Sequence, residues 1–477
     1  MAEMPGGGSR NVVEKGGMEM GTYVAPSVKM SLPGPNSVRL FKRGGELFLG
    51  ASDTDTGAFV ARLKKDWFIE DVDGNVYLDW HTGWTAAPLG FGQEEVLAAA
   101  ESAMRTYGHE CIDSVLPEWA FVLAERLVEI APPGLTRVYY DTTGSEVAEN
   151  SVRIQREAAG PSRPWIITFF GNFHGGNYGT GAMGPHHPHY THGVEEFVHG
   201  WINVPYPTCY RCPYHLSYPS CNMACLDYIE EMVLRYKAAP ETIAGVIFEV
   251  IQGENGVQIP PPEWPGRLSA LCRKYGWSLN NDEVQEGLGR TGKWFAIEHY
   301  EGAEADLLSL GKSLSGGLIP IAACLGTDAM SEAAGRLYLG GTFAGSPVGC
   351  AAAAKTIEIM QRDRVLDNVA ELERVALEKL KPLVDRYEAV GDVRVKGAYM
   401  AVEFVRDKQS KEPDREFAAA VARELVQRGV VPIYEGEFPW IRPTPALNMP
   451  PELFARGCEI FEETVADLSR ERGRGVA

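Results

Sequence analysis

The sequence predicts an α/β protein in which a mostly parallel β-sheet is covered by helices and a smaller α/β unit adjoins it. Between residues 134 and 345, short apolar strands alternate with helical segments, the pattern of a parallel sheet whose strands are connected by helices. After residue 390, shorter strands and helices alternate again. The chain has 477 residues, which is enough for two or three units with a large buried core.

The first part of the chain is predicted to lie outside the large sheet. Residues 1–30 are rich in Gly, Met and Ser without periodicity, which predicts a mobile arm. Residues 57–80 are predicted to form a small antiparallel unit, because the turn residues 73–75 separate two alternating apolar runs. Apolar residues at helical spacing then predict helices at 93–107 and 117–131.

The remaining elements follow in chain order. The predicted strands of the sheet are 137–141, 165–170, 244–250, 277–282, 306–310 and 320–325. Its predicted helices are 145–158, 224–237 and 265–275. The later elements are predicted to be a helical stretch at 349–389 with a break near Asp363, strands at 392–405, 430–433 and 439–442, and helices at 413–428 and 451–468. The predicted domains are therefore a small domain built from 31–84 and 349–477 and a large domain at 85–348.

Composition excludes several classes of function. The formal net charge is −19 at pH 7, which argues against a nucleic-acid-binding protein. No apolar run approaches the roughly 20 residues that span a bilayer, so no membrane association is expected. The first ten residues lack the apolar core of a signal peptide, so we expect a cytoplasmic location.

The nine cysteines are expected to be reduced thiols, since their number is odd and no signal peptide is recognised. Cys209, Cys212, Cys221 and Cys225 have a spacing that a zinc site could use. A loop in which the thiols pack beside Pro and Tyr explains the same spacing. The favoured prediction is the thiol-lined loop, without a bound metal.

A lysine among glycines is the first candidate for catalysis. The apolar residues 307–310 lead into Lys312, which is followed by Gly316 and Gly317. Desolvation disfavours an ammonium ion, so a lysine in a partly dry pocket can become a nucleophile towards a carbonyl. A solvated lysine in a turn would show the same local sequence.

A second candidate site follows the strand at 137–141. Thr143, Gly144 and Ser145 open a predicted helix, and hydroxyls with a glycine at a helix N-terminus suit a bound anion such as phosphate. The same residues could serve only as a helix cap, with Glu146 nearby.

Two further candidates lie at strand ends. Asp282 ends the strand 277–282, where an acid could hold a protonated ring nitrogen, or could simply cap a helix or face solvent. Phe173 and His174 follow the strand 165–170, where an aromatic ring could stack on a flat cofactor or belong to the core. Together with Lys312 and a phosphate site, these residues form the set that pyridoxal phosphate requires.

The chain resembles the class-III, or ω-type, aminotransferases of the fold-type-I pyridoxal-phosphate enzymes over nearly its whole length after residue 35. The segments that carry the resemblance are 249–256 (EVIQGENG), 281–294 (NDEVQEGLGRTGKW), 309–317 (SLGKSLSGG) and 341–347 (GTFAGSP). The resemblance implies the fold-type-I architecture and a homodimer with sites shared across its interface. It also implies transfer of an amino group from a small-molecule amine donor to a carbonyl acceptor.

The resemblance also implies a role for each matching residue. Lys312 would carry the Schiff base to the cofactor and move the substrate proton, and Asp282 would pair with the ring nitrogen. The other implied cofactor contacts are Thr143, Gly144 and Ser145 at the phosphate, Phe173 and Val284 on the two ring faces, Gln285 at the ring hydroxyl, His174 and Glu249 nearby, and Thr342 of the neighbouring subunit at the phosphate.

Departures from the family pattern bear on the substrate. Arg442 matches the family's carboxylate-binding arginine, and Glu254 matches the gate glutamate that pairs with it when the substrate has no carboxylate. Both are present, which implies two unlike substrates. Gly176 replaces an arginine of relatives that handle dicarboxylates, which removes one anchor for the distal carboxylate of a glutamate donor. Trp84 is expected at the pocket wall, and Cys111 is expected at the pocket mouth.

Several alternatives stay open at this stage. Glu286 replaces a common threonine and either adds negative charge near the site or faces solvent. The histidines at 186, 187, 189 and 192 could form a lid or a solvated loop. The family includes racemases and epimerases, so an isomerase is the main alternative. In such a reaction, Cys111 of this chain could act as a second acid. A regulatory homologue without catalysis is another. An amino sugar, as in antibiotic biosynthesis, would fit the acidic chain and Gly176.

Overall fold

A computed structural model describes residues 23–49, 59–184, 187–193 and 199–474. Residues 1–22 of the predicted arm lie outside the described residues. The strands are β1 (Ala61–Lys65), β2 (Phe68–Asp71), β3 (Val76–Trp80), β4 (Arg137–Asp141), β5 (Trp165–Phe169), β6 (Trp201–Val204), β7 (Ile243–Phe248), β8 (Ser278–Asp282), β9 (Leu307–Leu310), β10 (Ala322–Gly326), β11 (Val390–Lys396), β12 (Tyr399–Asp407), β13 (Glu412–Pro413), β14 (Val430–Pro432) and β15 (Trp440–Ile441). The helices are α1 (Pro35–Leu47), α2 (Glu94–Thr106), α3 (Glu118–Ile130), α4 (Gly144–Ala159), α5 (Tyr178–Ala182), α6 (Ala224–Tyr228), α7 (Leu234–Tyr236), α8 (Trp264–Tyr275), α9 (Asp328–Ala334), α10 (Pro347–Arg362), α11 (Val365–Lys379), α12 (Leu383–Arg386), α13 (Arg415–Gln427) and α14 (Pro451–Arg474).

The central sheet has the strand order β4-β10-β9-β8-β7-β5-β6. The strands from β9 to β6 pair in parallel, whereas β10 runs antiparallel to both β4 and β9. The prediction of a mostly parallel sheet is confirmed, and all six predicted strands are present. The edge strand β6 was not predicted, because its four residues are too short for a clear pattern.

Two predicted elements differ from the structure. The predicted strand at 392–405 is wrong, because Gly397 has φ +58° and the chain reverses there to form the antiparallel pair β11 and β12. The helix predicted at 224–237 is interrupted by a π-helical turn, Ile229–Val233, between α6 and α7. The predicted break near Asp363 is present, since Arg364 has φ +51° between α10 and α11.

Two smaller sheets connect distant parts of the chain. In the first, β2 and β3 form the predicted hairpin, and β14 pairs in parallel with β3. In the second, β12 pairs with β11, β13 and β15. Because N-terminal and C-terminal strands share the first sheet, a small domain built from both ends of the chain is compatible with the structure. The boundaries at 31, 85 and 349 remain predictions.

Helices cover the central sheet and pack on one another. Helix α10 contacts both α2 and α3, and its alanines are buried on several sides. Helix α4 lies against β7, β8 and β9. Among the described helices, none has the length and apolarity that a membrane span requires.

The carboxyl ends of the parallel strands bring the candidate residues together. Asp282 is the last residue of β8, and Lys312 follows β9 by two residues. Glu249 follows β7, and Phe173 lies in the turn after β5. Ligand sites in such sheets lie at this edge, so one pocket can contain all of these side chains.

Candidate active site

A cavity of about 550 Å³ opens at this edge of the sheet. The residues that line the cavity are Gly144, Ser145, Phe173, His174, Gly175, Glu254, Asp282, Val284, Gln285 and Lys312. All of them except Gly175 were predicted as site residues, so the structure brings most of the predicted site into one place.

Lys312 is held at the cavity by a strained turn. Its φ is +37°, and Ser313 next to it donates from Oγ to the carbonyl of Thr85 at 2.9 Å. The side chain is 20% exposed, and its Nζ lies 3.7 Å from Oε1 of Glu254. Burial lowers the pKa of the Lys312 ammonium, while the Glu254 carboxylate opposes this shift. The lysine can therefore lose its proton more easily than a solvated lysine.

Asp282 is oriented by two hydrogen bonds. Nδ1 of His174 donates to its Oδ2 at 2.7 Å, and the backbone N–H of Val284 donates to its Oδ1 at 3.0 Å. Nε2 of His174 is buried without a hydrogen-bond partner among the described residues. This geometry directs a carboxylate into the cavity, where it can pair with a protonated ring nitrogen.

The start of helix α4 lies on another wall. Thr143 caps the helix: its Oγ1 accepts from the backbone N–H of Glu146 at 3.3 Å, and Glu146 in turn accepts from the N–H of Thr143 at 2.9 Å. The cap alternative is thus realised by Thr143, which does not line the cavity. Gly144 and Ser145 do line it, so the N-terminal end of the helix dipole faces the cavity.

Two glycines let the backbone approach this wall closely. A Cβ on Gly144 would lie 2.8 Å from Cγ1 of Val284, and a Cβ on Gly175 would lie 2.3 Å from Oγ of Ser145. Gly175 also has φ +134°. A side chain at Gly144 would displace Val284, and one at Gly175 would displace Ser145. Glycine at these two positions therefore allows the close backbone approach that forms this wall.

Arg442 and Glu254 form a buried ion pair beside the lysine. Nη2 of Arg442 contacts Oε2 of Glu254, and Nη1 donates to Oε1 of Gln285 at 3.1 Å. Nε2 of Gln285 donates to Oε1 of Glu254 at 2.6 Å, and the hydroxyl of Tyr399 donates to Oε1 of Gln285 at 2.5 Å. Tyr399 was not predicted, because nothing in its apolar strand marks it as polar-facing.

Glu249 does not line the cavity. It accepts from the backbone N–H of Phe173 at 2.7 Å and of Gly253 at 3.0 Å, and burial raises its pKa to about 7. Its described contacts are those of a side chain that positions the turn bearing Phe173. The role of a direct cofactor contact stays a prediction.

Three further predicted residues lie away from the cavity lining. Trp84 is 37% exposed, and the guanidinium of Arg442 lies 5.6 Å from its ring centroid. Cys111 is half-buried and Thr342 is exposed, and neither lines the cavity in this chain. The exposure of Thr342 is compatible with a contact to a neighbouring subunit, which remains a prediction.

Glu286 faces the protein interior rather than solvent. It is fully buried, and neither carboxyl oxygen has a hydrogen-bond partner among the described residues. Burial raises the pKa of Glu286 well above its usual value, and the carboxylates of Glu249 and Glu283 add to this shift. The alternative of a solvent-facing residue is therefore wrong, and burial disfavours the charged form of this acid.

Part of the histidine-rich segment lies over the site. His187 contacts Oε2 of Glu437 at 2.5 Å, and the ring of Tyr190 lies 5.2 Å from that of Phe173. These contacts favour the lid alternative. His186 and the side chain of His189 lie outside the described residues.

The four clustered cysteines lie at a different place. Cys209, Cys212, Cys221 and Cys225 line a separate cavity of about 410 Å³, and all four are free thiols. Within the described residues, no three His, Cys, Asp or Glu side chains are arranged to hold a metal ion. The choice between a zinc site and a thiol-lined loop stays a prediction.

The fold and the site together define a class of protein. A parallel sheet, a buried lysine after one strand, an acid at the end of the next and a helix start across the same cavity are the features of fold-type-I pyridoxal-phosphate enzymes. The profile of the class-III aminotransferases matches residues 50–465. The chain belongs to this family, and its cofactor is pyridoxal 5′-phosphate.

Relatives within the family catalyse two kinds of reaction. Alanine/serine racemase of Pyrococcus horikoshii is 30% identical over 448 residues, 93% of each chain. The 4-aminobutyrate aminotransferase of Mycobacterium leprae is 32% identical over 92% of this chain and 97% of its own. A solved amine transaminase from an uncultivated Pseudomonas species, in its pyridoxal-phosphate-bound form, is 28% identical, covers 86% of this chain and 95% of its own, and has a TM-score of 0.80.

Proposed function

We propose that this aminotransferase alternates between two unlike substrates, an amino acid with a carboxylate and an amine or aldehyde without one. The observation that carries the proposal is the ion pair between Arg442 and Glu254 beside Lys312. A removable counter-ion on the arginine is useful when the carboxylate is present in only one half of the cycle. A racemase needs no such exchange, because its substrate and its product carry the same carboxylate.

The residues of the cavity fit pyridoxal phosphate. Ser145 and the first N–H groups of α4 would hold the phosphate, Asp282 would pair with the ring nitrogen, and Val284 and Phe173 would contact the ring faces. Gly144 and Gly175 leave room for the backbone to reach the phosphate. When bound, the cofactor supplies an aldehyde that takes up the amino group and a ring that withdraws electrons from the reacting carbon.

The chain's own groups hold and move charge around that cofactor. Lys312, whose pKa burial lowers, can take a proton from the substrate carbon and release it nearby. His174 keeps Asp282 in position through Nδ1. Arg442 binds a carboxylate through two parallel hydrogen bonds after Glu254 has turned away. When Glu254 turns away, it also loses the hydrogen bond that Gln285 donates to it. Binding of a substrate carboxylate therefore changes the contacts of both Glu254 and Gln285, the two partners of Arg442.

A single-turnover experiment tests this proposal. The enzyme loaded with pyridoxal phosphate is mixed with L-alanine or with 1-phenylethylamine, without any keto acid. We expect about one equivalent of carbonyl product per bound cofactor and loss of the cofactor's visible absorption, which a keto acid then restores. Lys312→Ala is expected to release at least about a thousandfold less product in the same time. Repeated turnover without a carbonyl product would contradict the proposal.

Racemisation is the second candidate, and the racemases among the relatives favour it. Return of the proton to the opposite face of the substrate requires a second acid across from Lys312. Cys111 is a candidate for this acid from the sequence. The ion pair between Arg442 and Glu254 beside Lys312 is the observation that favours the aminotransferase over the racemase.

A further inference from the structure

Arg442 has a second carboxylate partner in addition to Glu254. Oε1 of Glu435 lies 3.4 Å from Nη2 of Arg442, the same nitrogen that contacts Glu254. The other terminal nitrogen, Nη1, donates to Gln285. Both ends of the guanidinium thus face acceptors of the protein itself. The arginine side chain is 2% exposed and that of Glu435 is 24% exposed, so solvent screens this group of charges only in part.

Two carboxylates on one guanidinium change what a substrate encounters. A substrate carboxylate binds best through two parallel N–H donors of an arginine. At Arg442, it has to replace Glu254 and then share the guanidinium with Glu435. The Glu435 carboxylate beside Nη2 repels the carboxylate of a substrate that approaches the same nitrogen.

Glu435 is more exposed to solvent than Arg442, which it contacts. It belongs to the loop between β14 and β15, and the Tyr190 hydroxyl lies near it and near Glu254 and Arg442. Burial raises the pKa of Tyr190, and the Glu435 carboxylate is the next largest cause. The Tyr190 ring lies 5.2 Å from that of Phe173, which lines the cavity.

We propose that Glu435 determines substrate specificity by competing with substrate carboxylates for Arg442. It weakens binding of the amino-acid substrate and thereby favours carboxylate-free amines at the same site. The proposal rests on the proposed function in one respect, that Arg442 is the group that binds the carboxylate. The gate residue Glu254 alone does not predict this effect.

The test compares Glu435→Gln with a matched control away from the site. Glu462→Gln removes a carboxylate of similar exposure that contacts Arg386 and does not line the cavity. Binding of propanoate, an unreactive carboxylate, is measured by calorimetry on the holoenzyme. Glu435→Gln is expected to bind propanoate about three- to fivefold more tightly than the unmodified chain, since a partly exposed ion pair is removed. Glu462→Gln is expected to leave this affinity unchanged.

Single-turnover rates give the second readout. The ratio of kcat/KM for L-alanine to kcat/KM for 1-phenylethylamine is expected to rise about three- to fivefold in Glu435→Gln and to stay constant in Glu462→Gln. Glu435→Ala serves as a second variant and is expected to change both readouts in the same direction. Circular dichroism confirms folding of each variant.

The outcomes separate this proposal from the proposed function. If Glu435→Gln and Glu435→Ala bind propanoate as the unmodified chain does, the inference about Glu435 is overturned, whatever the reaction. If no amine yields a carbonyl product, the proposed function fails, while the propanoate affinities still decide the role of Glu435.

Discussion

Burial shifts the pKa of several side chains around the site, and His81 gives the clearest test. Its Nδ1 accepts from the backbone N–H of Trp84 at 3.1 Å, and burial lowers its pKa to about 4. The unfolded chain protonates this histidine near pH 6.5, so it binds more protons than the folded chain between about pH 6.5 and 4. Stability is therefore lost as the pH falls through this range.

His81→Asn removes this contribution and keeps an acceptor for Trp84. From the two pKa values, we expect the free energy of unfolding to fall by about 2 kcal/mol more in the unmodified chain than in the variant between pH 7 and pH 5. Urea unfolding of both chains at the two pH values measures the difference. Equal losses in the two chains would show that the histidine is not buried in its neutral form.

At the scale of single residues, the sequence predicted side chains whose position follows from a strand end. Asp282 and Lys312 are examples, because a parallel sheet places consecutive strand ends side by side. Tyr399 and Glu435 were missed for a different reason. Their approach to Gln285 and Arg442 depends on how β12 and the loop before β15 meet the large sheet, and local sequence carries no signal for that.

Among the elements, a buried ionic network connects three segments to the turn that carries Glu254. Glu403 on β12 contacts Arg211 through one oxygen and Arg394 on β11 through the other, at 2.6 Å. Nε of Arg394 donates to the carbonyl of Gly256 at 2.7 Å. The network thus fixes the position of the chain only two residues after Glu254.

Loss of the shared carboxylate should leave two guanidinium groups without their common partner. Glu403→Gln is expected to lower the free energy of unfolding by about 3 kcal/mol, because the charge is almost fully buried. Glu101→Gln, which removes the exposed partner of Arg105, serves as the control and should change it by less than about 1 kcal/mol. Denaturant unfolding measures both, and similar small changes in the two variants would contradict the role assigned to the network.

Most helices and strands could be predicted because their apolar residues recur at regular spacing. The elements that were not predicted lack such a pattern. The strands of the central sheet are apolar runs bounded by turns, and they were found. Helix α1 was not predicted, because its sequence contains two adjacent glycines and buries only Ser37. The π-helical turn and the reversal at Gly397 are local backbone features that a pattern of apolar residues does not reveal.

For the whole molecule, the exposed segment around Thr342 bears on assembly. Phe343 and Tyr338 are exposed, and the Phe343 ring lies 4.6 Å from that of His109. An apolar surface of this kind commonly belongs to an interface. The predicted homodimer would cover it and bring Thr342 to the partner's phosphate site.

The pairing of β14 with β3 could not be predicted from the sequence. Contacts between segments that are far apart in the chain leave no local sequence pattern, and the same holds for contacts between subunits.

Mixed dimers test this arrangement. Lys312→Ala and Thr342→Ala subunits are expected to be weakly active alone, for different reasons. In a hybrid, one site combines Lys312 of one subunit with Thr342 of the other, so the mixture should recover about half the activity per hybrid dimer. Light scattering and tagged purification confirm the hybrid. A purified hybrid without recovered activity would show that Thr342 does not serve the partner's site.

The most direct test of the central claim is the single turnover of L-alanine repeated in heavy water. The claim is that the site transfers the amino group, so we expect about one equivalent of pyruvate per cofactor and no accumulation of D-alanine. L-Alanine recovered after addition of excess pyruvate is expected to keep its configuration. Accumulation of deuterated D-alanine without pyruvate would contradict the account and identify the enzyme as a racemase.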